Sequence, residues 1–364
     1  MDSPARVDLW PWMGAGLRVP DDMSAVPLAY CLTPSPEHDL EGHPENPGRF
    51  ANLREAMAEL PTGAACAIDP RPAPDDAILQ VHSDRYLRAL EAACIQGPAY
   101  VDPAPTYVTQ GSLVAARMAV GGSLAVLEQV TMGRARAGLA LVRPPGHHAS
   151  ATRAMGFCLL NNIAVATRQA QRSGLRRVMI VDFDVHHGNG TQAIFEDDPE
   201  VLYLSTHEYG IYPGSGALDE IGTGAGAGTT VNVPLHPHCG DQTFRLVADE
   251  LIGPLARRFG PDVLLVSAGF DSHWRDPLGQ LQLTCTGFHA LAKNLSELAG
   301  ELCGGRLVAF LEGGYDPRAL AGSILAVACA LARVPAPPDP LGSGGFLEPD
   351  MRPLVDRVRR VHGL

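Results

Sequence analysis

The residues from Val181 to Gly190, Val-Asp-Phe-Asp-Val-His-His-Gly-Asn-Gly, place carboxylates and imidazoles at a spacing that suits metal chemistry. An apolar run over 177–181 leads into them, so we expect a buried strand to end here. Alternate residues of a strand share a face, which lets Asp184 and His186 project into one pocket. A catalytic zinc site uses three protein ligands and keeps one position open. The third ligand must come from elsewhere in the chain.

Polar residues of the same kinds follow five predicted strands. The sets are Arg143 to His148, Asp184 with His186, Ser205 to His207, Gly269 to Asp271, and Glu312 to Tyr315. In open parallel sheets, ligands bind beyond the carboxyl ends of the strands. One such set could serve packing alone, whereas five sets at one rim favour an active site.

The alternation of apolar runs with helical patterns predicts an α/β fold. Near-continuous, β-branched strands are typical of a single open, mainly parallel sheet that helices cover on both faces, with the site at the carboxyl ends of the strands. We expect strands at 26–31, 138–143, 177–183, 201–206, 229–234, 262–268 and 306–311. We expect helices at 49–60, 76–96, 111–131, 160–173, 241–259, 286–302 and 317–333.

The Pro- and Gly-rich stretches predict how the chain is divided. We interpret residues 1–24 as an N-terminal arm, 25–335 as one catalytic domain and 336–364 as a tail that packs on or extends it. The Gly-rich stretch 210–228 is expected to form a long loop, and loops of this length in a compact domain are usually either functional or disordered.

Composition argues against several classes of function. The chain has 364 residues, of which 46% are hydrophobic and 19% charged, as in an ordinary soluble enzyme. Its net charge of −12 argues against a nucleic-acid ligand. We find neither an apolar run of about 18 residues nor a signal peptide, and the cysteines are scattered as reduced thiols. We therefore expect a cytoplasmic protein with no membrane partner, and a homo-oligomer is compatible with the sequence.

Taken in order, the motifs resemble those of the histone deacetylase superfamily, in particular its class II-like bacterial members. The resemblance spans about residues 27–335 and implies the arginase/deacetylase fold. An isolated Asp-x-His would be weak evidence, whereas the full ordered set is specific. The set comprises Pro144 to His148, Gly156 to Cys158, Asp182 to Gly190, Tyr212 to Gly216, Ala268 to Asp271, Asp276 to Leu278 and Leu311 to Tyr315.

The resemblance implies two metal sites. Asp184, His186 and Asp271 would bind zinc, with ferrous iron as the alternative ion. Asp182 and Ser205, together with nearby backbone carbonyls, would bind a structural potassium ion. The alternatives are that Asp271 caps the turn after its strand and that Ser205 is an ordinary buried hydroxyl.

The tandem histidines follow a Pro-Pro-Gly turn. The resemblance makes His148 the general base and leaves His147 protonated. Asp182 would accept a hydrogen bond from His147, and Asn189 would orient His148. Many class I relatives have Asp where this chain has Asn189, and a neutral partner should leave His148 less basic. For a lone histidine, a buried structural role would be the alternative.

Tyr315 and an aromatic pair would complete the site. Tyr315 follows two glycines, and the resemblance implies that its hydroxyl stabilises the oxyanion. Phe157 and Tyr212 resemble the aromatic pair that lines a narrow tunnel and grips the aliphatic part of an acyl-lysine, and Gly156 would let the substrate backbone approach closely. Core packing is the alternative for Phe157, and a tyrosine that only fills the edge of the sheet is the alternative for Tyr315.

Two further positions bear on the pocket. Arg49 resembles an arginine near the pocket floor, with an exposed helix start as the alternative. Leu278 stands at the rim, where polyamine-selective relatives of the eukaryotic type have Glu.

The leading expectation is a zinc-dependent deacetylase that acts on acetyl-lysine in a protein or peptide, or on a small acylated amine. An acetylpolyamine amidohydrolase is the rival within the family. An arginase would need a second aspartate two residues after Asp271, where the chain has His273. A catalytically silent acyl-lysine-binding scaffold is disfavoured because every expected catalytic position is filled.

Overall fold

Eight parallel strands form one open sheet. The computed structural model of the protein describes residues 25–364. Its strands are β1 Val26–Thr33, β2 Ala65–Ala67, β3 Ala99–Tyr100, β4 Tyr107–Val108, β5 Ala135–Val142, β6 Val178–Asp182, β7 Val201–Glu208, β8 Thr230–Leu235, β9 Val263–Ala268 and β10 Leu307–Leu311. The sheet has the order β2-β1-β5-β10-β9-β6-β7-β8, and β3 pairs with β4 outside it. The prediction of a single open parallel sheet is confirmed, and all seven predicted strands belong to it.

Apolar side chains on both faces of the sheet explain the unbroken apolar sequences of its central strands. Every residue of β6, β9 and β10 is buried. Along β6, Met179 and Val181 join one hydrophobic cluster, whereas Val178 and Ile180 join the other. The core therefore consists of two layers, one between each face of the sheet and its helices.

Helices cover both faces. They are α1 Leu53–Ala58, α2 Asp75–Ile78, α3 Asp84–Gln96, α4 Ser112–Thr131, α5 Asn162–Arg172, α6 Asn189–Phe195, α7 Asp241–Val247, α8 Gly253–Phe259, α9 Cys285–Leu302, α10 Pro317–Ala332 and α11 Arg352–His362. A π-helical turn, Ala248–Ile252, joins α7 to α8 just before Pro254. Because proline lacks an N–H and crowds the preceding turn, a regular α-helix is disfavoured there.

The structure corrects several predicted helices. The helix expected at 76–96 is two helices, because Ser83 interrupts it and its hydroxyl accepts a hydrogen bond from Tyr86 N to begin α3. The helix expected at 49–60 starts with a 3-10 turn, Pro47–Phe50. Helices α6 and α11 were not predicted.

Helix α4 is apolar because it is a core helix. Among residues 25–364, it alone is long and apolar enough to cross a membrane, and 72% of its apolar window is buried. It packs against β5, β1 and α5. Its composition therefore reflects burial inside the fold.

The C-terminal tail lies against the domain. Glu348 accepts hydrogen bonds from Gly240 N and Thr243 N, each at 2.9 Å. Val355 and Val358 of α11 are fully buried. The predicted arm, 1–24, lies outside the described residues, and the division into arm, domain and tail stays a prediction.

Candidate active site

The polar residues singled out in the sequence meet at one edge of the sheet. They belong to β5, β10, β9, β6 and β7, or directly follow these strands, and the five strands are consecutive neighbours in the sheet. Since the strands are parallel, their carboxyl ends lie side by side. The topology thus gathers residues that are more than a hundred positions apart in sequence.

Asp184 and His186 lie in a turn, which corrects the expectation that strand alternation aligns them. β6 already ends at Asp182, whose Oδ1 accepts a hydrogen bond from Asp184 N at 3.2 Å. Asp184 Oδ1 in turn accepts one from His186 N at 2.9 Å. Successive carboxylates therefore shape the turn.

Asp184, His186 and Asp271 form a compact cluster of potential metal ligands. Each residue offers one ligand atom, and these atoms lie within 4.8 Å of one another. His186 Nδ1 is 3.1 Å from Asp184 Oδ1 and 3.3 Å from Asp271 Oδ2. The other oxygen of each carboxylate accepts a hydrogen bond from the backbone. Gly313 N donates to Asp184 Oδ2 at 2.9 Å, and Val185 N donates to Asp271 Oδ1 at 3.0 Å.

The cluster fits a divalent metal ion. Asp271 Oδ2 is buried and accepts no well-aligned hydrogen bond; it faces His186 Nδ1 at 3.3 Å, so two buried carboxylates converge on one imidazole, an arrangement that a bound cation would stabilise. Burial alone would lower the pKa of His186, but the carboxylates of Asp184 and Asp271 raise it to about 10, so the cluster attracts positive charge. Two carboxylate oxygens and one imidazole nitrogen are a ligand set that suits zinc or ferrous iron.

Two glycines leave room for the paired carboxylates. A Cβ atom at Gly269 would overlap the carboxylate of Asp184, and one at Gly313 would overlap that of Asp271. Close approach of backbone to the ligand groups requires glycine at both positions. The Ala268–Asp271 and Leu311–Tyr315 motifs thus have a steric reason for their glycines.

The tandem histidines sit beside the cluster in opposite electrostatic surroundings. His147 Nδ1 is 3.1 Å from Asp182 Oδ2, and although burial lowers its pKa, Asp184 and Asp182 raise that pKa to about 10. His148 Nδ1 is 2.8 Å from Asn189 Oδ1. Burial, followed by the charges of His147 and His186, holds the pKa of His148 well below its ordinary value. These surroundings favour the protonated form of His147 and the neutral form of His148.

Glu312 supports the histidine turn, a role that sequence reasoning missed. This fully buried carboxylate accepts hydrogen bonds from Gly146 N at 2.6 Å and His147 N at 3.1 Å, while its other oxygen accepts one from Ser267 Oγ at 3.1 Å. Glu312, His147 and Cys158 form a second group of potential metal ligands, but both Glu312 oxygens already have protein partners. The available signal was a charged residue directly after the apolar run of β10.

Aromatic rings surround the approach to the histidines. Gly156 has a φ of +57°, and a Cβ there would overlap the ring of His148. Phe157 has a φ of 68° and donates its N–H to Thr106 Oγ1 at 2.9 Å. The ring centroids of Tyr212 and His148 are 5.1 Å apart, edge to face. Gly156, Phe157 and Tyr212 thus lie together next to the cluster.

Tyr315 is held from its ring face. The guanidinium of Arg49 lies 4.7 Å from the centre of the Tyr315 ring, and Arg49 Nε donates to Gly314 O at 2.7 Å. Arg49 is only 2% exposed, which excludes an exposed helix start. Burial holds the pKa of Tyr315 well above its ordinary value, although Arg49 opposes this, so the hydroxyl remains protonated. The ring centroids of Phe157 and Tyr315 are 5.9 Å apart, edge to face.

Asp182 and Ser205, the expected potassium ligands, are paired across β6 and β7. Ser205 Oγ is 2.9 Å from His207 Nδ1, and the Asp182 carbonyl accepts a hydrogen bond from Thr206 Oγ1 at 3.3 Å. Tyr203 donates to Asp182 Oδ2 at 3.1 Å. These oxygens all have protein partners, so the potassium site stays a prediction without an orphaned oxygen to support it.

His273 does not extend the metal cluster. Its Nδ1 accepts a hydrogen bond from Arg275 N at 3.1 Å, and its ring stacks on Trp274 and Phe288 with centroid distances of 5.8 and 6.4 Å. The position that a two-manganese arginase needs for an aspartate is therefore a packed imidazole. This favours a site for one ion.

Known proteins share this fold and these motifs. A family model for the histone deacetylase domain matches residues 43–331. The chain is 40% identical to "Histone deacetylase 10, chloroplastic" of Oryza sativa subsp. japonica, over 96% of this chain and 84% of that relative. It is 37% identical to "Polyamine deacetylase HDAC10" of Homo sapiens, over 90% and 49%. The structure titled "Crystal Structure of HDA15 HD domain" matches with a TM-score of 0.81 and 35% identity, over 92% and 95%. The chain therefore belongs to the histone deacetylase superfamily.

Proposed function

We propose that the protein is a zinc-dependent deacetylase that hydrolyses the amide of an acetylated lysine side chain and releases acetate. Membership of the superfamily supports a hydrolase that acts on acetyl amides. The observation that carries the finer proposal is the convergence of two buried carboxylates and one imidazole in the cluster of Asp184, His186 and Asp271, in which Asp271 Oδ2 lacks a well-aligned hydrogen bond. These three residues would hold the zinc ion.

The surrounding residues divide the acid–base work. A zinc ion bound here would act as a Lewis acid on the amide carbonyl and on water. With its Nδ1 hydrogen-bonded to Asn189, His148 presents Nε2 as the atom that takes a proton from the attacking water. The oxygen of that water forms a bond to the carbonyl carbon, the carbon–nitrogen bond breaks, and a protonated histidine gives its proton to the leaving amine. His147, paired with Asp182, keeps positive charge beside the reacting groups.

Binding and oxyanion stabilisation fall to the aromatic residues. The Tyr315 hydroxyl would donate to the oxygen that becomes negative, an interaction worth about a hundred- to a thousandfold in rate. Phe157 and Tyr212 would grip the methylene chain of the substrate, and Gly156 would leave it space. Leu278, which is half-buried, would line the rim.

Substrate choice is tested by comparing two acylated amines. The human relative named a polyamine deacetylase makes acetylpolyamine the second candidate. Because Leu278 cannot pair with a second cationic nitrogen, we expect kcat/KM for an acetyl-lysine peptide to exceed that for acetylspermidine by at least about tenfold. Purified, zinc-loaded protein is assayed by acetate release. A preference for acetylspermidine would indicate an acetylpolyamine amidohydrolase. No activity on any acylated amine would favour a catalytically silent acyl-lysine-binding scaffold.

The neutral partner of His148 predicts a pH effect. In Asn189→Asp, a carboxylate 2.8 Å from Nδ1 replaces the amide oxygen and raises the pKa of His148. Since the base must be neutral and is lost as pH falls through its pKa, the acidic limb of kcat/KM should move to higher pH. Profiles of the two proteins between about pH 5 and 9 measure this. An acidic limb that stays in place would show that Asn189 does not tune His148.

A further inference from the structure

The segment that carries Tyr315 has little conformational restraint of its own. Tyr315 follows Gly313 and Gly314, and Gly314 has a φ of +121°, a value that side chains other than glycine rarely adopt. Glycine pairs allow many backbone conformations, so outside contacts must fix the ring. Arg49 supplies one such contact, through the Gly314 carbonyl and the ring face.

Asp276 supplies the second contact, through the backbone N–H of Tyr315. This carboxylate is only 6% exposed, and its Oδ2 accepts a hydrogen bond from Tyr315 N at 2.6 Å. Its Oδ1 accepts one from Leu278 N at 3.0 Å. Asp276 lies five residues after Asp271. Its side chain therefore joins the loop that carries Asp271 to the loop that carries Tyr315.

The surrounding contacts hold this loop as a compact turn. Asp276 N donates to His273 O at 2.8 Å, which closes the turn after Asp271. Arg275 Nε donates to Asp316 Oδ2 at 3.3 Å, a second link between the same two loops. The Arg275 pair is partly exposed to solvent, whereas the Asp276 contact is buried, so the buried contact sets the geometry.

We infer that Asp276 is a positioning residue, which sets the distance of the Tyr315 hydroxyl from the metal cluster and thereby controls the rate of the chemical step. The inference rests on the proposed deacetylase function and on the role of Tyr315 in it. A residue that acts this way lowers kcat when it is changed, because misplacement of about 1 Å costs on the order of a hundredfold. Its effect must also depend on the presence of the Tyr315 hydroxyl.

A double-mutant cycle tests this dependence. Asp276→Asn keeps the size of the side chain but leaves one acceptor oxygen for two backbone donors, Tyr315 N and Leu278 N, so the side chain can no longer join both loops by hydrogen bonds. We expect kcat to fall about tenfold to a hundredfold, with KM changed less than about threefold. In the Tyr315→Phe background, the same substitution should lower kcat less than about threefold, because the hydroxyl that it positions is already absent.

Controls separate positioning from general damage. Asp241 is a matched carboxylate, since its two oxygens accept hydrogen bonds from Thr284 N and Thr284 Oγ1 at 3.0 and 2.7 Å. Asp241→Asn should leave kcat unchanged, whatever its effect on Tm. The metal-to-protein ratio of Asp276→Asn should equal that of the unsubstituted protein, which excludes an effect through Asp271.

The outcomes are distinguishable. An equal loss of kcat from Asp276→Asn in both backgrounds, or a loss explained by lost metal or by KM, would overturn the positioning role while leaving the proposed function intact. If the unsubstituted protein hydrolyses no acylated amine, or if Tyr315→Phe alone has no effect, the proposed function or the role of Tyr315 fails instead.

Discussion

Asp271→Asn should lose bound metal and at least about a thousandfold in kcat/KM, equivalent to roughly 4 kcal/mol of transition-state stabilisation. Asparagine keeps the oxygen that accepts the hydrogen bond of Val185 N. It replaces the buried Oδ2, which faces His186 Nδ1 at 3.3 Å, with an uncharged NH2 group. The substitution therefore removes the ligand charge while preserving most of the local shape. Metal content by elemental analysis and steady-state rates on an acetyl-lysine peptide measure the two effects.

Asp262→Asn is the matched control for this experiment. Asp262 precedes β9, whereas Asp271 follows it, so the two residues lie at opposite ends of the same strand. Asp262 Oδ2 accepts a hydrogen bond from Arg177 N at 2.8 Å. We expect its substitution to change stability slightly and to leave metal content and rate unaltered. Unchanged metal content in Asp271→Asn would contradict the assignment of Asp271 as a ligand.

His148→Ala should lower kcat by about a hundredfold to ten-thousandfold, the usual contribution of a general base. The ring is buried, and its pKa is held well below the ordinary value by burial and by the charges of His147 and His186. It is therefore neutral and able to take a proton near neutral pH. Without this base, the rate should also lose the acidic limb that its titration produces.

The metal content of His148→Ala should be unchanged, because His148 lies outside the ligand cluster. His289→Ala, at a partly buried position on α9, is the comparison variant and should keep full activity. A rate for His148→Ala within about threefold of the unsubstituted protein would exclude His148 as the base. In that case another residue would have to take the proton from water, and His147 would be the first to consider.

The sheet could be predicted because buried strands have a distinctive, almost continuously apolar sequence. Strands such as β6 and β9 are buried on both faces, so every residue is apolar until the carboxyl end. The elements that were not predicted have fewer apolar residues and therefore a weaker sequence signal. β2 has three residues and is largely exposed at the sheet edge, and α11 buries few side chains among its arginines. Elements that are this short, or that contain this few apolar residues, offer too few apolar positions for a pattern to be recognised.

The sequence motifs pointed to the residues that meet at the candidate site and to the partners of both histidines, but not to the supporting roles of Glu312 and Asp276. Ordered motifs pointed to the cluster and the histidines, because those side chains sit beside glycines and strand ends. Glu312 and Asp276 act through hydrogen bonds to backbone N–H groups 166 and 39 residues away. Such contacts depend on which loops the topology brings together, and a single sequence carries no pattern that reveals them.

The most direct test of the central claim is a zinc titration of metal-free protein with the hydrolysis rate of an acetyl-lysine peptide as the readout. We predict that the rate rises in proportion to bound zinc. It should level off at about one zinc ion per protein chain, the number that the cluster of Asp184, His186 and Asp271 would hold. The same titration of Asp271→Asn should show neither binding nor rate. Full activity without metal, or a zinc-loaded protein that hydrolyses no acylated amine, would contradict the proposal.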